Sequence, residues 1–165
     1  MLFRSTFPNV IVGYLSIEGL EQLMEGLDAA QTLGLLNELV DAFDDAAERY
    51  GVEKIRTVGD AYLATCGLST PRLDHRQRMV AFADETVAIV ERFNRAKGCS
   101  LALQIGLASG EVDAGVVGRR RFVYEILGRC VAEARHLANS ADGAGIRTTP
   151  EFAAAAAGRT EGSEG

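Results

Sequence analysis

Two long segments of helical periodicity, each stopped by a glycine and each flanked by strand-like runs, restrict this chain more than any other feature. From Asp28 to Tyr50, the residues Leu33, Leu36, Val40, Phe43 and Ala47 recur at spacings of three and four with acids between them. That is the pattern of a helix with one apolar face. Gly51 stands where such a helix would stop. A second helix, opened by Pro71 and Asp74, runs to Lys97 with Val80, Ala83, Val87, Val90 and Phe93 on one face, and Gly98 closes it. The β-branched and aromatic segment Asn9–Ile17 reads as a buried strand broken by Gly19,. Val52–Val58 and Ala61–Cys66, parted by Gly59-Asp60, read as a hairpin,. Further on, Ser100–Ala108 is strand-like, Ser109-Gly110 predicts a turn, and Val112–Val117 and Phe122–Leu127 resume strand character. Gly128–Asn139 predicts a short helix and Gly145–Thr148 a last strand. The order predicts an α+β fold with a ferredoxin-like βαββαβ core. Its sheet is expected to be mixed and mainly antiparallel, with the helices on one face.

Composition narrows the function classes. With 165 residues the chain suffices for one domain, and a domain of that size buries roughly 70% of its unfolded surface without a disulfide or metal staple. Residues 1–157 are assigned to it, and 158–165, with no apolar side chain, are expected to form a disordered tail,. Seventeen Lys and Arg against 23 Asp and Glu give a net charge of −6, which argues against a nucleic-acid partner. Fifteen of those basic residues are arginines, because Lys54 and Lys97 are the only lysines. The longest apolar run, Phe152–Ala157, is too short to span a bilayer,. The chain itself is thus expected to make no membrane contact. Cys66, Cys99 and Cys130 form no metal or redox spacing,. Small buried thiols in a reducing, cytoplasmic setting are the expectation, whether or not a larger and perhaps membrane-anchored signalling protein carries the domain. Arg119-Arg120-Arg121 reads as a solvated turn, with contact to a triphosphate or a partner chain as the alternative.

Three motifs carry chemistry: Glu53-Lys-Ile-Arg-Thr-Val-Gly-Asp-Ala-Tyr62, Ile105-Gly-Leu-Ala-Ser-Gly-Glu-Val112, and Ala114-Gly-Val-Val-Gly118 leading into Tyr124-Glu-Ile-Leu-Gly128. In order and spacing the chain resembles the catalytic domain of class III nucleotidyl cyclases, the adenylate and guanylate cyclases, from Val10 to Pro150. The resemblance implies a head-to-tail dimer with active sites across the interface. One chain's two aspartates would hold two Mg²⁺ or Mn²⁺ ions in the two-metal logic of phosphoryl transfer. The other chain would supply a purine-reading pair and an Asn/Arg pair that serve the ribose and the transferred phosphate.

The departures from that pattern are specific. In Tyr14-Leu-Ser-Ile-Glu-Gly-Leu20, Ser16 stands at the first metal aspartate, and a neutral hydroxyl is a poor ligand for a hard divalent ion. Glu18, two residues on, points to the same side of a strand. Asp60 matches the second metal aspartate, though Asp is also common in tight turns. Arg56 and Glu125 match the purine-reading pair with the cation/anion polarity of the adenine type. An ordinary cross-strand ion pair explains them equally well. In Gly128-Arg-Cys-Val-Ala-Glu-Ala-Arg-His136, Ala132 replaces the Asn and His136 the Arg, while Arg129 stands where an Asp or Asn is usual. Arg135 is adjacent but is expected to point about 100° away.

One lost transition-state donor costs roughly 10²–10³ in rate. The expected function is therefore a cyclase-homology domain, dead or very weak, acting as a dimerisation, regulatory or nucleotide-binding module. It would pair as a homodimer or as a heterodimer with another cyclase domain. ATP or GTP is the expected ligand, with Mg²⁺ or Mn²⁺ if a nucleotide binds and no cofactor otherwise. The alternatives are a slow adenylate cyclase converting ATP to 3′,5′-cyclic AMP and pyrophosphate through Glu18, Arg129 or Arg135, and a plain interaction module with an empty cleft.

Overall fold

The computed structural model describes residues 3–70, 73–121, 123–140 and 144–153. In chain order the elements are β1 (Phe3–Glu18), α1 (Leu20–Glu25), α2 (Ala29–Tyr50), β2 (Glu53–Val58), β3 (Ala61–Cys66), α3 (His75–Lys97), β4 (Ala102–Val117), β5 (Val123–Leu127), α4 (Arg129–Asn139) and β6 (Gly145–Thr148). The strands form one sheet in the order β2-β3-β1-β4-β5, and β6 adds to the first half of β4. Every pair along that order is antiparallel, and β6 alone runs parallel to its neighbour. The βαββαβ core and the α+β class are thus present, with β2-β3-β1-β4 at its centre. The tail segment 158–165 lies outside the described residues.

Both long helices form where the periodicity puts them. Asp28 caps α2 with a reciprocal box, its carboxylate accepting from the Gln31 amide at 2.7 Å while the Gln31 side chain accepts from the Asp28 amide at 3.1 Å,. Gly51 and Gly98 end the helices at φ of 70° and 68°, a region open to glycine at little cost.

The sheet carries two cores because strand side chains alternate. Ile11, Leu15 and Ile17 of β1 and Leu103, Ile105 and Leu107 of β4 face α2 and α3, together with Phe43, Tyr62 and Phe82. Val10, Val12 and Tyr14, with Ala108, Val112 and Ala114, face the opposite side, where Cys130, Ala134 and Ala138 of α4 pack. The expectation of helices on one face is corrected here: α4 covers the second face. Its approach is close enough that a Cβ on Gly106 would overlap the Ala134 carbonyl, so only glycine fits under that helix.

Three further departures follow, two from strand pairing and one from a short helix. β1 begins before Asn9, since Phe3–Phe7 pairs with Val112–Val116 of β4 beyond a register shift between Phe7 and Val10. Pro8 sits in that shift, where a residue without an amide proton is tolerated. Ser109-Gly110 makes no turn: Ser109 pairs with Ile11 and Gly110 with Val10, and β4 runs on as one strand. Gly19, at φ 99°, leads into the short α1, which has too few residues to show a helical period.

Candidate functional site

On the α4 side the sheet curls over itself. Arg56 lies on edge strand β2 and Glu125 on edge strand β5, at opposite ends of the five-strand order. Even so, the Arg56 guanidinium donates to Glu125 Oε1 at 2.7 Å and to the Tyr124 carbonyl at 3.3 Å. Register shifts between Lys54 and Arg56 in β2 and between Phe7 and Val10 in β1 add local bend and twist, as bulges do.

Beside this pair lies a cleft of about 490 Å³. Tyr14, Leu63, Ile126 and Val131 give it an apolar floor, and Arg56 and Glu125 mark one end. Along its α4 wall stand Ala132, Arg135, His136 and Asn139. The structure thus brings Arg56, Glu125, Ala132 and His136 to one cavity within a single chain. The expected exclusion of Arg135 is corrected: it lines the same cleft. Taking Val131 as zero and about 100° per residue, Arg135 falls near 40°, Asn139 near 80°, Ala132 near 100° and His136 near 140°. The cleft covers the whole stripe, so Arg135 lies within it and His136 forms its outer border. Arg129 is elsewhere: its side chain is 90% exposed and its Nε bonds Glu133 Oε1 at 2.8 Å, one helical turn on.

Ser16 and Asp60 sit at a different place, where β1 ends beside the β2–β3 turn. The Asp60 carbonyl accepts from the Ile17 amide at 3.0 Å and ties the turn to β1. Ser16 is 5% exposed, and its hydroxyl donates to Glu18 Oε1 at 3.4 Å. Glu18 and Asp60 both border a cleft of about 650 Å³ that also takes in Gly19, Leu20 and Leu101. No residue lines both this cleft and the one beside α4. Among the described residues no three His, Cys, Asp or Glu side chains gather closely enough to hold a metal ion. Glu18, Glu21 and Asp60 line this cleft without converging on one point, and the buried neutral hydroxyl of Ser16 is a poor ligand for a hard divalent ion, so these residues do not fit a two-metal centre.

A smaller hollow on the far side of Asp60 contains Lys54 and Tyr62. The Tyr62 hydroxyl donates to Asp44 Oδ1 at 2.7 Å, and Lys54 pairs with Asp44 Oδ2 at 3.1 Å. Burial first, then the hydrogen bond and charge of Asp44, hold the Tyr62 hydroxyl far above its ordinary range, so it stays protonated. Sequence reasoning missed this triad because Asp44 reads as one of several acids on a solvated helix face. Burial likewise raises the Cys130 thiol, and the buried thiols of Cys66 and Cys130 donate to the Gly51 and Glu111 carbonyls at 3.5 Å. Arg119, Arg120 and Arg121 are exposed between β4 and β5.

A mixed sheet in this strand order, with two long helices on one face and α4 closing over the other, is the architecture of a nucleotidyl cyclase catalytic domain. Residues 3–162 match the family described as the adenylate and guanylate cyclase catalytic domain, and the chain belongs to that family. An adenylate cyclase of Mycobacterium tuberculosis is 33% identical over 150 residues, 91% of this chain and 34% of that protein. The chain thus spans about a third of that relative's length. The guanylate cyclase domain of RhGC from Catenaria anguillulae, solved in complex with GTP, superimposes with a TM-score of 0.84 at 29% identity, over 90% of this chain and 81% of that one. The adenylyl cyclase CyaB from P. aeruginosa shares the fold, with a TM-score of 0.85 at 23% identity over 93% of this chain and 82% of that one. No helix among the described residues is long and apolar enough to cross a membrane.

Proposed function

We propose that this cyclase-homology domain makes little or no cyclic nucleotide and acts as a nucleotide-binding, dimerising module of a cytoplasmic signalling assembly. The observation that carries the reading is the donor set at the end of β1. Ser16 offers a buried neutral hydroxyl already turned to Glu18, so the aspartate expected beside Asp60 is replaced by a group that is a poor ligand for a hard cation. Ala132 and His136 point the same way, since neither a methyl group nor an imidazole reproduces an Asn/Arg pair.

What the chain's own residues can do is bind. Arg56 and Glu125 present a fork of donors and an acceptor at one end of an apolar slot, a combination suited to the edge of a purine. Their polarity favours adenine over guanine. Val58 on β2, Val117 at the end of β4, and Val123, Tyr124 and Leu127 on β5 are large apolar side chains left exposed, which suits burial of these strands against a homologous partner, a second copy or another cyclase domain. A slow adenylate cyclase is the second reading, favoured by the place of Arg135 on the cleft. The test is an assay at high protein concentration with ATP or GTP and Mg²⁺ or Mn²⁺. No cyclic product above the protein-free blank is expected, whereas product that disappears in Asp60→Ala overturns the proposal in favour of the second reading. Restoring Ser16→Asp, Ala132→Asn and His136→Arg together is expected to raise product above wild type.

A further inference from the structure

We infer that Arg135 holds the phosphate of a nucleotide within the cleft of a single chain, with no divalent cation required. The inference rests on the nucleotide-binding reading above and adds to it an anchoring residue and a metal-free mode of binding.

Three observations converge on Arg135. First, Arg56 is spoken for: its guanidinium is bonded to Glu125 and to the Tyr124 carbonyl, so that end of the cleft is close to neutral. Arg135 has no ion pair or hydrogen bond among the described residues. It is thus the one uncompensated arginine on the cleft wall. Secondly, the helical angles place it within the stripe, while His136 lies about 200° from the buried Ala134 and points away from the sheet. A helical side chain leans toward its own N-terminus. Arg135 therefore leans over the turn of Val131 and Ala132, toward Gly128 and the Arg56–Glu125 end. Thirdly, Ala132, a turn before Arg135 on the same wall, presents only a methyl group, and Asn139 adds an amide donor one turn on. A volume of about 490 Å³ is within the range of small-molecule sites.

A base lying on the apolar floor against Arg56 and Glu125 would direct its phosphate along α4 to Arg135. A guanidinium binds a phosphate as a two-pronged fork. It supplies here the positive charge that the donor set around Ser16 and Asp60 is unsuited to recruit as metal.

The experiment is equilibrium binding of ATP, AMP and adenosine to the full chain in EDTA, by calorimetry, for wild type and for Arg135→Ala, Arg135→Lys and Arg129→Ala. Arg129→Ala removes the same charge from the same helix but off the cleft. ATP and AMP are expected to bind wild type in EDTA. Arg135→Ala should weaken both about 10- to 100-fold, Arg135→Lys less, and Arg129→Ala less than about twofold. Adenosine, lacking phosphate, should bind wild type and Arg135→Ala alike. ATP binding in EDTA that is unchanged by Arg135→Ala but lost in Arg56→Ala overturns this inference and leaves the nucleotide-binding reading standing. Wild-type binding that appears only with Mg²⁺ also overturns it. Absence of nucleotide binding with or without metal overturns both.

Discussion

Gly106 shows how one residue sets the position of a whole wall of the cleft. Because its missing Cβ admits the Ala134 carbonyl, α4 rests on β4 at backbone distance and brings Arg135 and Asn139 down to the sheet. Gly106→Ala is expected to lower stability by about 1–3 kcal/mol, the usual cost of overpacking, measured as a lower urea midpoint. An unchanged midpoint would mean that α4 can slide outward freely. Tyr62 gives a second prediction at this scale. Its hydroxyl is held above the ordinary 10.0 by burial, then by the hydrogen bond and charge of Asp44. The unfolded chain therefore gives up this proton first as the pH rises. Stability should fall above pH 10 by up to about 1.4 kcal/mol per pH unit. Tyr62→Phe should remove most of that slope while costing about 1 kcal/mol at neutral pH for the lost hydrogen bond. A smaller slope should persist from Tyr124, which burial and then the charge of Glu53 also raise. Urea titrations between pH 8 and 11 check this, and equal slopes for the two proteins would refute it.

At the scale of elements, α2 depends on both its cap and its face. The box between Asp28 and Gln31 satisfies amide groups that would otherwise have no partner at the helix start,. Asp28→Ala is expected to cost about 1 kcal/mol, with fraying confined to the first turn in amide hydrogen exchange. Protection lost as far as Phe43 would show that the cap, not the core, holds the helix. The long elements were legible in sequence because each repeats a period often enough to average out exceptions: α2 and α3 run 22 and 23 residues. α1 has six residues and repeats nothing. Ser109-Gly110 misleads for a different reason. A small-residue pair signals a turn unless a neighbouring strand supplies partners, and β1 supplies them at Ile11 and Val10.

For the whole molecule, the Arg56–Glu125 pair joins the two edges of the central sheet across the α4 face. Both side chains keep about a third of their exposure, 34% and 31%, so solvent screens the pair. A double-mutant cycle of Arg56→Ala and Glu125→Ala should give a coupling energy of about 0.5–1 kcal/mol that shrinks at high salt. Zero coupling at low salt would mean the edges meet without help from this bridge. The same closure makes the cleft a property of the folded chain, since its two ends are 69 residues apart in sequence.

The sequence alone carries the α+β class, the βαββαβ order, the motif positions and a neutral hydroxyl at Ser16. Residue type and period are local properties and can be read without coordinates. It located Arg56, Glu125, Asp60, Ala132 and His136, but could not say which of them share a cavity. Tertiary packing alone puts α4 on the face opposite the two long helices, Asp60 and the Arg56–Glu125 pair in separate clefts, and Arg135 in the second of them. The physical reason is that a helix fixes the angles between its residues but not which of those angles faces a cavity. Packing against the rest of the chain sets that, here through one missing Cβ at Gly106 and a sheet curled until its edges touch.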